Sequence, residues 1–284
     1  MALEKKITIA DLGKHKAAGE KFTMLTCYDA TMASIQQAAG VEVVLVGDSL
    51  AGPVLGLPDT VGVGLDISVA LTAAVRRGAD LAYLVADMPF LTYTNPAMAV
   101  ANAGRYLVEA RADCVKMECD RRFLETVRAM ATSGISVMPH LGLTPQRAGQ
   151  VGGYKVAGKT AAGAIEIIET AEMMVEAGAS ALLLEAVPPE PAEMLTRRVP
   201  VPVIGCGAGP GCDGYVVVTH DMIGLTAGRT PKFVKKYADL RSPMQAAFEA
   251  FVADCRGGAY PADEHNYPMS ETELAALKEW AAGK

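Results

Sequence analysis

Short apolar runs and amphipathic stretches alternate along most of the chain, and this alternation constrains the fold more than any other feature. The runs are continuous rather than alternating in polarity, as in strands that are buried on both faces. The stretches between them carry apolar residues at helical spacing, and several end at Gly, a common helix stop signal. Eight runs are recognisable, beginning at Phe22, Val41, Leu81, Asp113, Ile135, Ala181, Val201 and, more weakly, Asp221.

Alternating strands and helices predict parallel βαβ units, and eight such units make a TIM (β/α)8 barrel. The 284 residues are enough for one α/β barrel as a single domain. A doubly wound sheet is the alternative, but it leaves the chain after Val201 unexplained. We expect an N-terminal extension over residues 1–20 and a helical tail over residues 231–284. The tail, in which Ser270 and Glu273 form a capping box, is expected to pack on the barrel or on a neighbouring subunit.

The charge pattern argues against a nucleic-acid partner. The chain has 26 basic and 32 acidic residues, a net charge of -6, and no long basic run. Its apolar runs are broken by Gly, Asp or Pro every four to eight residues, whereas a membrane helix needs about 20 apolar residues. The first residues show no export signal. We therefore expect a cytoplasmic protein that binds neither nucleic acid nor a membrane.

Polar residues at the ends of the apolar runs are the candidates for function, because a TIM barrel carries its active site at the carboxyl ends of its strands. Each residue alone could be a helix cap or a turn former. Together they place four carboxylates, an ammonium and an imidazole on one rim. They are Asp48, Asp87, Lys116, Glu118, His140 and Glu185.

Four carboxylates in one cleft repel one another and lose hydration unless a cation shares the site. Oxygen ligands without paired His or Cys favour a hard cation, Mg²⁺ before Zn²⁺. Asp48 and Asp87, on adjacent strands, are the best direct ligands. Glu118 could bind the metal directly or through a water, and Lys116 offers a positive charge to an anionic substrate. A 2-oxo acid that chelates the metal fits this arrangement.

Glu185 lies farther along the barrel, between apolar residues. Burial raises the pKa of a carboxylate and makes it a better proton acceptor, so we predict that Glu185 is a general base. Two readings of His140 stay open: a core imidazole satisfied by a backbone group, or a substrate contact.

Two glycine-rich motifs resemble nucleotide sites without the local structure that such sites need. GYKVAGKT, residues 153–160, matches the Walker A pattern, but a polar, Pro-containing segment stands where a strand is required. We expect a mobile lid around Gly152 to Lys159 instead. In the segment IGCGAGPGCDG no helix pattern follows the glycines directly, as a dinucleotide site requires. The segment therefore predicts a Gly-rich turn that lets the backbone approach a ligand or form a tight corner.

Segments running in order from about Leu25 to His265 resemble the 3-methyl-2-oxobutanoate (ketopantoate) hydroxymethyltransferase family. Among them are TCYDATMASIQQAAGVEVVLVGDSL, ADMPFLTY, VKME, HLGLTPQ, LLLEAVP and PVIGCGAG. The resemblance implies a Mg²⁺-dependent TIM barrel, typically a homodecamer. Such an enzyme transfers a one-carbon unit from 5,10-methylenetetrahydrofolate to 3-methyl-2-oxobutanoate and gives 2-dehydropantoate, in the biosynthesis of pantothenate.

The resemblance also assigns roles to residues of this chain by motif. It places the metal site at Asp48, Asp87 and Glu118 and the proton acceptor at Glu185. It assigns substrate contacts to Asp48, Ser49, Asp87 and Lys116.

The chain departs from the usual family sequence beside Ser49. The family usually reads DSLGM there and carries a His in the following helix; this chain has Ala51, Gly52, Pro53 and Leu71. These departures leave the acceptor and the one-carbon donor open. The alternatives are a Mg²⁺-dependent aldolase or lyase, a paralogue acting on another 2-oxo acid, and a non-catalytic barrel that binds a metabolite or serves as a scaffold. The carboxylate cluster argues against the last.

Overall fold

Parallel strands follow the chain in order around a closed barrel, which confirms the predicted TIM fold. The structure is a computed structural model that describes residues 2–228 and 230–283. Each strand pairs with the next, and the last pairs with the first, so the sheet has no open edge. Within these residues the strands are β1 (Phe22–Thr26), β2 (Val43–Val46), β3 (Tyr83–Asp87), β4 (Cys114–Glu118), β5 (Val137–Gly142), β6 (Leu182–Glu185), β7 (Val203–Cys206) and β8 (Gly214–Val217).

The last strand is not where the sequence predicted it. The run that begins at Asp221 falls in a short helix and the turn after it. Strand β8 is the tetrapeptide GYVV, in which Gly214 pairs with Phe22. A Cβ atom on Gly214 would lie 2.4 Å from the Phe22 ring, so glycine is required for this close approach. The prediction was wrong because β8 is short and follows directly on a glycine-rich turn.

Helices connect the strands, and polar side chains cap several of their first turns. Asp29, Asn95 and Thr160 each accept a hydrogen bond from a backbone N–H of the helix that follows. The helices in the described chain are α1 (Ile9–Ala18), α2 (Ala30–Ala38), α3 (Leu65–Gly78), α4 (Pro96–Val108), α5 (Leu124–Thr132), α6 (Ala148–Val151), α7 (Ala161–Glu176), α8 (Pro189–Arg198), α9 (Thr219–Met222), α10 (Arg241–Gly257) and α11 (Glu271–Ala282). None of those in the described ranges is long and apolar enough to cross a bilayer.

Helix α1 closes the amino end of the barrel. Leu12 is fully buried in the apolar interior together with Phe22. Lys16 forms an ion pair with Asp213, just before β8, at 2.8 Å. This end of the barrel is therefore packed with apolar side chains and held by buried charge pairs, which leaves the carboxyl end as the open one.

Residues from Ala238 onward form a second compact unit. Helices α10 and α11 make up most of it, and Ser270 accepts the predicted hydrogen bond from the backbone N–H of Glu273. The rings of Phe251 and Tyr260 meet edge to face, 5.4 Å between centroids. The surface against which this tail packs stays a prediction.

Candidate active site

The strand register carries a series of polar side chains into the carboxyl end of the barrel. Residues two apart in a strand face the same side. Val85 lies in the apolar interior of the barrel, so Asp87 faces inward one step closer to the mouth. The same rule applied to the other interior residues gives the inward-facing polar set Asp87, Lys116, Glu118, His140 and Glu185.

A cavity of about 160 Å³ lies at this mouth. Its lining includes five of the residues predicted from the sequence: Asp48, Ser49, Asp87, Lys116 and Glu185. Two further predicted residues, Glu118 and His140, are 0% and 1% exposed and lie behind the lining. The structure therefore brings the predicted set to one place, but in two layers.

Asp48 and Asp87 are joined through backbone and side chain. Asp48 begins a turn of 3-10 helix after β2, and its N–H donates to Asp87 Oδ2 at 3.2 Å. Lys116 Nζ forms an ion pair with the same oxygen. Burial raises the pKa of Asp87 to about 7, although Lys116 opposes the shift. Burial alone would lower the pKa of Lys116, but Asp87 and Asp48 raise it overall, so the amine stays charged.

Glu118, like Asp87, is a fully buried carboxylate of the site. Its Oε1 atom accepts a hydrogen bond of 2.9 Å from the backbone N–H of Gln146. Burial raises the pKa of Glu118 to about 8, so without a cation it takes up a proton near neutral pH. Gln146, on the loop after β5, was not predicted as a site residue. Glutamine after a strand is ordinarily exposed, and no sequence signal set this one apart.

The donor set fits a hard divalent cation. Asp87 Oδ1 and Glu118 Oε2 are buried and have no hydrogen-bond partner among the described residues, which is costly unless a cation or water meets them. Within residues 2–228 and 230–283, no three His, Cys, Asp or Glu side chains are placed to hold one ion together. Mg²⁺ commonly takes only one or two carboxylates and fills its other positions with water and substrate. The described carboxylates therefore fit a cation that binds one or two of them directly and completes its coordination with water and substrate.

Glu185 ends β6 on the other side of the cavity. Its side chain is 20% exposed, so it is half-buried and reaches the cavity as well as solvent. Its Oε2 lies 3.4 Å from His140 Nε2. The two atoms are not aligned as a hydrogen bond, and neither ring nitrogen of His140 has a partner in the described chain. Burial lowers the pKa of His140, which keeps the ring neutral. Within the described residues no backbone group hydrogen-bonds to this imidazole, which favours the substrate contact for His140. That contact stays a prediction.

The wall between β6 and β1 is largely apolar. It includes Cys206, which pairs with Glu185 in the sheet, and Phe233, from the segment after β8. Gly207 has φ +66, and a Cβ atom on it would lie 2.6 Å from the Phe233 ring. A tight backbone corner, one of the two possibilities predicted for this glycine-rich segment, is present at Gly207. Phe233 was not predicted, because it belongs to no strand run.

The Walker A-like segment has no strand before it. The short helix α6 precedes the loop, and Thr160 caps α7 instead of starting a phosphate site. Within the loop, the N–H of Ala157 donates to the carbonyl of Ala186 at 3.1 Å, next to Glu185. The loop therefore lies against the end of β6, where a lid over the site would have to attach. Its mobility stays a prediction.

The departures from the family sequence lie outside the cavity lining. Ala51 is buried, and Leu71 is half-buried on α3, packed against the apolar layer between strands and helices. Ser49, the lining residue nearest to them, has its hydroxyl 2.8 Å from the hydroxyl of Tyr28. None of the four positions that depart from the family sequence is among the residues that line the cavity.

Comparison with solved structures defines the class of the fold. Phosphonopyruvate hydrolase, solved as a complex with oxalate and Mg²⁺, superposes with a TM-score of 0.60 at 16% identity, covering 97% of this chain and 98% of that one. 2,3-Dimethylmalate lyase, a member of the PEP mutase/isocitrate lyase superfamily, gives a TM-score of 0.58 at 17% identity, covering 96% and 98%. The chain thus has the barrel fold of that superfamily.

Sequence comparison then identifies the family. The family model described as ketopantoate hydroxymethyltransferase matches residues 6–263. The 3-methyl-2-oxobutanoate hydroxymethyltransferase of Syntrophus aciditrophicus is 46% identical over 93% of this chain and 97% of its own length. That of Moorella thermoacetica is 46% identical over 94% and 100%. The chain belongs to the ketopantoate hydroxymethyltransferase family.

Proposed function

We propose that the chain transfers a hydroxymethyl unit from 5,10-methylenetetrahydrofolate to 3-methyl-2-oxobutanoate and gives 2-dehydropantoate, the first committed step of pantothenate biosynthesis. The observation that carries the proposal is a single small cavity with Asp48, Ser49, Asp87 and Lys116 on one wall and Glu185 on the other. For a 2-oxo acid, one wall would bind the carboxylate and keto oxygens. The opposite wall would accept the proton from the carbon next to the keto group. The names of the relatives agree with this reaction.

Mg²⁺ is the proposed cofactor, held directly by Asp48 and Asp87, with Glu118 acting through a water. When bound, it supplies Lewis-acid polarisation of the keto oxygen. Lys116 neutralises Asp87 and offers its remaining N–H groups to the substrate carboxylate. Ser49, held by Tyr28, is placed to donate a hydrogen bond to the same end of the substrate.

Glu185 is the proposed general base. Its carboxylate accepts the proton from C3 of the keto acid, and the electron pair left on C3 then forms a bond to the methylene carbon of the folate. That carbon loses its bonds to both folate nitrogens and takes its hydroxyl group from one water molecule. The two nitrogens take up the C3 proton, by way of Glu185, and the second proton of that water, so the products are 2-dehydropantoate and tetrahydrofolate. His140, neutral and 3.4 Å from Glu185, is proposed to contact the substrate from behind the lining. The loop around Gly152 to Lys159 closes over the bound keto acid and excludes bulk solvent while C3 carries the electron pair.

The other expectations from the family resemblance stay predictions. They are a homodecamer, a cytoplasmic location, and closure of the loop on binding of the keto acid. Limited proteolysis tests the last: the loop should be protected when the keto acid and Mg²⁺ are added, and equal cleavage with and without them would contradict closure.

A panel of 2-oxo acids tests the reaction itself. We expect turnover of 3-methyl-2-oxobutanoate with 5,10-methylenetetrahydrofolate, and slower turnover of that acid with free formaldehyde. Cleavage of 2-oxo-acid aldol products, such as those of pyruvate, is the competing activity. If only these aldol products are converted, the chain is an aldolase or lyase, and the transferase proposal fails.

A further inference from the structure

One buried glutamine links the carboxylates of the site. Gln146 is 3% exposed and lies in the turn of 3-10 helix Pro145–Arg147, after β5. Its backbone N–H donates to Glu118 Oε1, and its Nε2 donates to Asp48 Oδ2, both at 2.9 Å. Nε2 also donates to the carbonyl oxygen of Met88, the residue after Asp87, at 3.1 Å. Gln146 therefore contacts the ends of β2, β3 and β4 at once.

The amide can adopt only one orientation. Tyr93 donates its hydroxyl hydrogen to Gln146 Oε1 at 2.5 Å. Rotating the amide by half a turn would bring Oε1 against two acceptors, Asp48 Oδ2 and the Met88 carbonyl, and would lose both bonds made by Nε2. Tyr93 is itself buried, and its ring meets the edge of Phe123, 5.7 Å between centroids. The hydroxyl thus fixes which end of the amide faces the carboxylates.

Position 146 requires an uncharged side chain that donates hydrogen bonds. Lysine or arginine could also bind Asp48, but a second cation would cancel the charge that attracts a metal ion, next to Lys116. A carboxylate would repel Asp48 and Glu118. Glutamine orients both carboxylates and leaves their charge unchanged.

The bonds also leave one carboxylate oxygen available on each buried acid. In Glu118, Oε1 is bound to Gln146 and Oε2 has no partner within the described residues. In Asp87, Oδ2 is bound to Lys116 and Oδ1 is likewise without a partner there. One oxygen of each carboxylate is thus held by a protein donor, and the other oxygen is available to a cation. Gln146 is not among the residues that line the cavity, so we assign its effect to the two carboxylates that it contacts.

We propose that Gln146 is a positioning residue that orients Asp48 and Glu118 for a divalent cation, with Tyr93 setting the orientation of its amide. The proposal rests on the metal site of the proposed function. It predicts an effect on metal binding that does not depend on turnover.

The test measures Mn²⁺ binding to the metal-free chain by electron paramagnetic resonance, without substrate. Gln146→Met keeps the length of the side chain and removes its donors, and it should weaken Mn²⁺ binding about 10- to 100-fold, as second-layer changes at metal sites do. Tyr93→Phe should weaken it less, about 3- to 10-fold. In the double variant, Tyr93→Phe should add nothing, because the hydroxyl acts only through the amide.

Gln36 offers a matched control. It is also a buried glutamine, and its Nε2 donates to the Thr26 carbonyl and to Thr219 Oγ1, both at 3.0 Å, near β1 and β8. Gln36→Met should lower thermal stability by a comparable amount and leave Mn²⁺ affinity at the wild-type value. A purely structural role for Gln146 would make the two variants behave alike.

The outcomes separate the two proposals. If the unaltered chain binds Mn²⁺ but Gln146→Met and Tyr93→Phe bind it equally well, the role of Gln146 is refuted and the proposed function stands. If the unaltered chain binds no Mn²⁺, the metal site of the proposed function fails, and the role of Gln146 fails with it. If Gln146→Met does not fold, Tyr93→Phe, which removes a single hydroxyl, decides the question.

Discussion

The two walls of the cavity are built on different principles. On the β2–β4 wall, Asp48, Asp87, Lys116 and Glu118 are buried and bonded to one another or to Gln146. On the β6–β8 wall, Glu185 is half-buried and makes no comparable set of bonds, and its neighbours are mostly apolar. The first wall fixes charges in place, as a metal site must. On the second wall, Glu185 faces both the cavity and solvent.

Because of this difference, substitutions on the two walls should differ in their effects on stability and on catalysis. On the charged wall, each side chain both stabilises the fold and shapes the site, because an unpaired buried charge is costly. On the apolar wall, a change at Glu185 should alter chemistry and leave stability nearly unchanged, since half-buried polar groups contribute little. The predictions that follow run from the largest expected effect to the smallest.

Asp87→Asn should give the largest effect. It leaves Lys116 buried without its main partner, which should cost about 3 kcal/mol of unfolding free energy. It also removes a proposed ligand, so Mn²⁺ affinity should fall by more than about 100-fold. Urea unfolding and electron paramagnetic resonance measure the two losses.

Asp213→Asn is the control for that prediction, because Asp213 pairs with Lys16 in a similar buried ion pair at the closed end of the barrel. It should lose comparable stability and keep wild-type Mn²⁺ affinity. Equal loss of Mn²⁺ affinity in both variants would mean that Asp87 acts only through stability.

The buried carboxylates should make the stability of the metal-free chain depend on pH. Burial raises the pKa of Asp87 to about 7 and that of Glu118 to about 8, from ordinary values of 3.8 and 4.5. Between about pH 4 and about pH 8, the folded chain keeps protons on these two carboxylates that the unfolded chain has released. The unfolding free energy should therefore fall as the pH rises through this interval. The loss should be several kcal/mol, at about 1.4 kcal/mol for each unit of the two pKa shifts, and urea unfolding at the two pH values measures it.

Adding Mg²⁺ sharpens this prediction. The cation competes with protons for the same oxygens, so it should raise Tm more at about pH 8.5 than at about pH 6. Glu118→Gln, which cannot ionise, should reduce the difference. Equal Tm increments at both pH values in the unaltered chain would contradict the assignment.

Tyr28→Phe should give the smallest effect. The Tyr28 and Ser49 hydroxyls are 2.8 Å apart, and losing this bond should cost about 1 kcal/mol. The KM for the keto acid should rise a few-fold, with kcat nearly unchanged, because Ser49 is only less well placed. Tyr215→Phe, whose lost hydroxyl bonds the Pro210 carbonyl outside the cavity, should leave KM unchanged. A fall in kcat alone in Tyr28→Phe would argue against a role in substrate binding.

The fold and most of the predicted site residues followed from local sequence patterns, whereas Ser49 was predicted only from the family resemblance. The β3 and β4 strands end at Asp87 and Glu118, and strand periodicity alone turns both side chains inward. Glu185 was found in the same way at the end of β6. Barrel geometry then brings these strand ends together, so no long-range information was needed.

The parts that were missed depend on tertiary contacts. Gln146 follows a turn, and only the approach of three strand ends makes it buried and bonded. Phe233 lies beyond β8 and reaches the cavity because Gly207 leaves room for it. Strand β8 itself was displaced by a few residues, because its short run gives little periodic signal. The residue pattern predicts which face of the sheet a strand side chain lies on. It does not predict which loop side chain packs against the ends of the strands.

Exchange of the C3 proton of 3-methyl-2-oxobutanoate in D₂O with Mg²⁺, and without folate, tests the central claim most directly. The unaltered chain should catalyse exchange. Glu185→Gln should slow it by at least about 100-fold while keeping Tm and keto-acid binding, whereas Glu190→Gln, at an exposed position nearby, should behave as the unaltered chain. Unchanged exchange in Glu185→Gln would contradict the assignment of the base and the division between the two walls.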